Sequence, residues 1–258
     1  MTRSHRLLAG LRILLLAIAA IAVSTAASAQ AAASTSTSTS TAARAAAPGR
    51  VPDTIAQRAA ACVACHGREG ASTNAGYFPR LAGKPEVYLF NQLRSFRDGR
   101  RFNTDMVHLV RHLSDDYLRE LARYFAELDL PYPKVAETSD APEATLQQGR
   151  KLVFEGDPGR GIPACAQCHG QALTGVLPGI PALVGLPRLY LSSQLGDWLT
   201  GSRHALPPDC MAEVGRKLSN ADVNAVASWL ALQPVPANAK PAATPPGPLP
   251  MRCSAMEN

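Results

Sequence analysis

The chain has 258 residues, of which 46% are hydrophobic, 5% aromatic and 18% charged. That length suits one large domain or two small ones, and six cysteines are too few for a disulfide-stapled scaffold. The formal charge of +6 does not describe a nucleic-acid binder: Arg3, Arg6 and Arg12 supply half of it, and the later basic residues alternate with acidic ones instead of forming a basic face.

Residues 1–29 read as an export signal. A basic start (Arg3, Arg6) leads into an apolar run from Ile13 to Val23, and then into the small-residue site Ala27-Ser28-Ala29. The run of eleven residues is short of the about 20 that a spanning helix needs. Cleavage near Ala29 is therefore expected over retention as an anchor, which makes the protein periplasmic. Residues 30–50 form a low-complexity Ala/Ser/Thr leader that cannot bury enough apolar surface to offset chain entropy. No later segment is long and apolar enough to span a bilayer, and peripheral association with a membrane is left open.

Beyond the leader the sequence contains one module twice. Cys62-Val63-Ala64-Cys65-His66-Gly67 returns as Cys165-Ala166-Gln167-Cys168-His169-Gly170. The following landmarks keep their order: Pro79/Pro181, Gly83/Gly185, Pro85/Pro187, Tyr88/Tyr190, Gln92/Gln194, Phe96/Trp198, Met106/Met211 and Ser114/Ser219. The spacing changes slightly at loops, as a duplicated domain requires. The expected division is 51–134 and 143–234 for the two domains, with a linker at 135–142 and a Pro/Ala-rich, extended tail at 235–258.

Each module reads as helical. Helices over Thr54–Cys62 and Thr145–Phe154 lead to the cysteine motifs. A second pair, 85–97 and 187–199, opens with Pro85 and Pro187 at the first helical position. In the closing helices Leu118, Leu121, Ala122, Phe125 and Leu128 share one face, as do Val223, Val226, Ala227 and Leu230. Ser114 and Ser219 stand before them as N-caps, and prolines follow both. No segment sustains period-2 alternation, so the fold class is all-α.

C-x-x-C-H is the attachment signature of c-type haem. Two thiols form thioethers with the porphyrin vinyl groups, and the adjacent histidine lies beneath the iron. A zinc knuckle would need four ligands together, yet the motifs lie in separate modules. A dithiol redox pair gives no reason for a histidine to follow twice. The cofactors are thus two covalent haem c groups on Cys62, Cys65 and His66, and on Cys165, Cys168 and His169. A large apolar disc at each core also explains how modules this small and poor in aromatics can fold.

For the sixth ligand, Met1 lies in the signal and Met251 and Met256 in the tail. That leaves Met106 and Met211, one per module in matching register. His108, His112 and His204 are not equivalent in the repeat and read as surface or haem-edge residues. Methionine coordination raises the potential relative to bis-histidine and leaves no open iron site. The carbonyls of Pro79 and Pro181 are candidates to accept the ligand histidines' N–H. Tyr88, Tyr190, Phe96 and Trp198 are candidates for haem packing or for ordinary core.

With CVACHG and CAQCHG, PRLAG and PALVG, MVHLVRHLS and MAEVGRKLS, and the closing YFAEL and WLALQ, the chain resembles the dihaem cytochrome c4 family over about residues 52–234. The resemblance implies two cytochrome c-like domains related by a pseudo-twofold axis, with haem propionates near their interface. It implies His66/Met106 and His169/Met211 as axial pairs, and a non-enzymatic one-electron carrier. Expected partners are redox proteins: a cytochrome or quinol-linked donor, and a terminal oxidase or dehydrogenase. The alternative is an electron-accepting subunit of a periplasmic dehydrogenase. A dihaem peroxidase fits less well, because it needs an open iron site. The chain departs from the family in its long leader, in Cys210 directly before Met211, and in Cys253 of the tail. In an oxidising compartment that even remainder points to a Cys210–Cys253 disulfide across the methionine side of the second haem.

Overall fold

The computed structural model describes residues 52–72, 76–134 and 138–257. The expected signal (1–29) and leader (30–50) lie outside them, as do three residues of the expected linker. Helices in the first copy of the repeat are α1 (Ile55–Arg58), α2 (Ala60–His66), α3 (Glu86–Arg97), α4 (Thr104–Val110) and α5 (Asp115–Glu127). Those in the second are α6 (Glu143–Phe154), α7 (Cys165–His169), α8 (Arg188–Thr200), α9 (Cys210–Gly215) and α10 (Asn220–Ala231). Among the described residues there is no β-strand; isolated bridges join Asp157 to Ile162, and Val176 to Ile180 and to Ala242.

The helix starts follow from side chains that satisfy otherwise unpaired N–H groups. Ser114 accepts from the Tyr117 N–H at 3.2 Å, and Ser219 from Asp222 N–H at 3.1 Å. Asn103 accepts from Met106 N–H, and Asp209 from Ala212 N–H, each at 3.0 Å. These caps fix where the two methionine-bearing helices, α4 and α9, begin.

Two expected boundaries move. Pro85 and Pro187 are N-caps, not first helical residues, because their ψ angles of 136° and 144° are extended. The expected Thr54–Cys62 helix divides at Ala59, and α2 carries the motif itself through to His66. In the second copy α6 ends well before the motif, where Gly156 at φ 70° turns the chain into the 3-10 turn Pro158–Arg160.

Each copy has its own core. In the first, Ala59, Leu89, Leu121, Ala122 and Phe125 cluster where α1, α3 and α5 meet. In the second, Leu152, Val153, Leu186, Tyr190, Val226 and Leu230 join α6, α8 and α10. Burying each large apolar side chain contributes about 1.5–3 kcal/mol, so the helical faces read from the sequence also carry the packing. The tail beyond α10 remains non-helical up to the 3-10 turn Ser254–Met256, and Cys253 is disulfide-bonded to Cys210 with Cα atoms 5.0 Å apart.

Candidate haem sites

The short helices α2 and α7 present the two motifs with the same local geometry. Each ends at its histidine because the next residue is a glycine at positive φ, Gly67 at 78° and Gly170 at 84°. Both imidazoles are buried. His66 Nδ1 lies 2.8 Å from the Pro79 carbonyl oxygen, and His169 Nδ1 lies 2.8 Å from that of Pro181. A carbonyl only accepts, so Nδ1 carries the proton and donates it. Nε2 is left with its lone pair, the tautomer needed to bind a metal. Burial lowers the pKa of both rings, more strongly than the carbonyls raise it.

The thiols are equally informative. Burial pushes Cys165 up to about 12, and raises Cys62 and Cys168. A reactive dithiol carries a depressed pKa, and burial moves these three thiols the other way. Among the described residues, no group of three or more His, Cys, Asp or Glu is placed to hold a metal ion.

The second set is brought to one place. Cys165, Cys168, His169 and Met211 line a single, mainly apolar cleft with Leu191 and Trp198. The first set shares the register: Cys62 packs against the core cluster of Ala59, Leu89, Leu121, Ala122 and Phe125, and Met106 against that of Phe96, Val110 and Leu118. Phe96 is thus core, while Tyr88, Tyr190 and Trp198 line the cleft. His108, His112 and His204 are exposed, as surface residues should be.

A cluster that sequence reasoning missed sits where the copies meet. Arg101 donates to Gln92 Oε1 at 3.2 Å and to Gln194 Oε1. Arg203 donates to Gln194 Oε1 at 2.5 Å and Gln92 Oε1 at 2.7 Å. Lys84, Arg101 and Arg203 are all buried, yet no ion pair among the described residues gives any of the three a carboxylate. Burial lowers the pKa of Lys84 and Arg203. For Tyr88, burial pushes the phenol up, but Arg203, Arg101 and Lys84 outweigh it and bring it to about 8. The signal was available, since Arg101 and Arg203 are as far apart as Gln92 and Gln194.

No family model matches the chain. A thiosulfate dehydrogenase electron acceptor from Thiomonas intermedia is 42% identical over 177 residues, covering 69% of this chain and 80% of that one. Cytochrome c4 from Pseudomonas aeruginosa is 35% identical over 175 residues, covering 67% and 84%. The chain belongs to the dihaem cytochrome c4 family. Reduced cytochrome c4 from Pseudomonas stutzeri superposes with a TM-score of 0.59 at 33% identity, over 69% of this chain and 95% of that one. The thiosulfate dehydrogenase TsdBA from Marichromatium purpuratum gives 0.60 at 34% identity; this chain covers only 37% of its length.

This cytochrome is therefore an electron carrier with two covalent haem c groups in tandem all-α domains. Its residues fit that cofactor on three counts: paired thiols, a buried neutral imidazole with a free Nε2, and buried cations that no carboxylate among the described residues pairs. Bound haem supplies reversible one-electron Fe(III)/Fe(II) chemistry. The chain's own residues fix the imidazole tautomer and exclude water with the apolar cleft, and Lys84, Arg101 and Arg203 would offset negative charge that a bound haem brought to them. Among the described residues no helix is long and apolar enough to cross a membrane.

Proposed function

We propose that this cytochrome is the electron acceptor of a periplasmic thiosulfate dehydrogenase and relays those electrons, one at a time, to the respiratory chain. The observation that carries this reading is the 42% identity to a protein named for that role, against 35% to a cytochrome c4. Cys62, Cys65, His66 and Met106 hold the first haem, and Cys165, Cys168, His169 and Met211 the second. In support, all four members of the second set line one cleft, and the first set occupies the same positions of the repeat. Iron held between imidazole and thioether has no site for a substrate, which favours a relay over a peroxidase.

The domains are 51–134 and 143–234, and export follows cleavage of 1–29. N-terminal sequencing of mature protein starting at Gln30 supports the export reading; an intact Met1 would overturn it.

The relay is tested by mixing the oxidised holoprotein with thiosulfate dehydrogenase and thiosulfate without oxygen. Reduction of both haems during enzyme turnover is expected. No reduction beyond an enzyme-free control would overturn the proposed donor. Met106→Leu and Met211→Leu should each remove the Met–iron(III) charge-transfer band from one haem. Retention of the full band in either variant would overturn that ligand.

A further inference from the structure

The C-terminal tail has no counterpart after α5 in the first copy, and it is fastened to the second copy at three points. Ala242 N–H donates to the Gly175 carbonyl, and Leu177 N–H donates to the Ala242 carbonyl, each at 2.9 Å. Ser254 N–H donates to the Pro208 carbonyl at 3.0 Å. The disulfide joins Cys253 to Cys210, the residue before Met211. Past the first point, Met251, Cys253, Ser254 and Ala255 line the same cleft as His169 and Met211. The fit is close: a Cβ built on Gly179 would stand 2.5 Å from the Ala255 carbonyl oxygen. Near Met106, by contrast, Phe102 and Leu109 are 75% and 40% exposed.

We infer that the disulfide-fastened tail is a fixed wall of the second haem site, holding Met211 in place and keeping exogenous ligands out. The two haems of one molecule then differ in how readily their sulfur ligand is displaced. This rests on the reading of Met211 as an axial ligand. Displacing Met211 requires α9 to swing away from the cleft. Its first residue is covalently joined to the tail, so that motion must also break the tail's hydrogen bonds. An outside ligand binds only the open fraction, and its apparent affinity falls with that fraction. Among the described residues no such strap is fastened beside Met106, so the first site opens at the cost of α4 alone.

The test uses full-length holoprotein carrying Cys253→Ser or Gly179→Val. Cys253→Ser releases the strap; Gly179→Val lifts the tail with the disulfide intact. Imidazole titration of the oxidised protein reads access to each iron. Proton NMR of the reduced protein reads the iron-bound methionine methyls, assigned by their loss in Met106→Leu and Met211→Leu. In either variant imidazole should bind one haem ~10-fold more tightly, with the Met211 methyl signal perturbed and that of Met106 unchanged. Wild-type affinity at both haems, or an equal gain at both, would overturn the inference. Where Cys253→Ser does not mature, Gly179→Val alone decides. A wild-type protein lacking a Met211-dependent methyl signal would overturn the ligand reading and the inference together, whereas two intact methyl signals with unchanged imidazole binding in both variants overturn the tail's role alone.

Discussion

His169 Nδ1 lies 2.8 Å from the Pro181 carbonyl oxygen, and the repeat reproduces the contact between His66 and Pro79 at the same distance. The acceptor is backbone, so no side-chain titration can remove it. Each imidazole is held in one orientation and one tautomer before any metal arrives, and the donated proton raises the basicity of Nε2. Nitrogen-15 NMR of the holoprotein should therefore show a proton on Nδ1 of both rings, slow to exchange with solvent. A rapidly exchanging Nδ1 proton on either ring would show that the bond does not persist.

Arg101 and Arg203 form a second matched pair, each bridging Gln92 of the first copy and Gln194 of the second. A buried cation favours the reduced, less positive state of a neighbouring haem. Replacing either residue with glutamine should lower the midpoint potentials by an amount on the order of 1 kcal/mol, or tens of millivolts. Removing both should cost more stability than doubling the single effect, because the two guanidiniums repel each other and either single removal already relieves that repulsion in full. Spectroscopic redox titration reads the first effect and thermal unfolding the second. Unchanged potentials in both single variants would place the cluster away from the haem edges.

Much of this was legible in the amino-acid sequence because the chemistry is local. C-x-x-C-H spans a single helical turn, and the closing-helix faces at Leu118, Leu121 and Phe125 follow a period that the core obeys. Ser114 and Ser219 cap where expected, since a cap depends on residues three apart. What sequence could not supply were contacts between distant segments. Arg101 is an ordinary loop arginine until Gln194 faces it across the interface. Pro85 shows how a local rule can misplace a boundary: its ring fixes φ, but ψ is set by how the chain enters α3, and there it is extended.

Gly149 is another long-range contact with a local disguise. It lies in the middle of α6, where glycine lowers helix stability, and it is buried. A Cβ there would stand 2.2 Å from the Ala225 carbonyl oxygen and 2.8 Å from Trp229 Cβ, both on α10. The glycine lets two backbones approach more closely than side chains allow. Gly149→Ala, favourable on helix propensity alone, should instead destabilise the protein by about 1–3 kcal/mol through overpacking. Denaturant unfolding checks the sign, and a stabilised variant would mean that α6 and α10 can separate freely.

Asp222 fastens the start of α10 to the loop that precedes the second motif. Arg160 donates to its two oxygens at 2.7 and 3.2 Å, and the Ser219 N–H and hydroxyl donate at 2.8 and 2.7 Å. Burial pushes this carboxyl up, but Arg160 and Ser219 outweigh that and bring it to about 2, from an ordinary 3.8. A carboxylate held below its unfolded value stabilises the fold above that value, and the contribution is lost as pH falls through the folded one. The shift corresponds to about 2 kcal/mol, reduced because the Arg160 side chain is 39% exposed to screening solvent. Asp222→Asn should therefore lower stability by about 1–2 kcal/mol at neutral pH. The gap between the variant and the parent should narrow as pH drops below about 4 and close near about 2. Thermal unfolding across that range checks the prediction. A gap independent of pH would mean that the substitution acts through lost packing or capping geometry and that the ionised pair with Arg160 adds nothing.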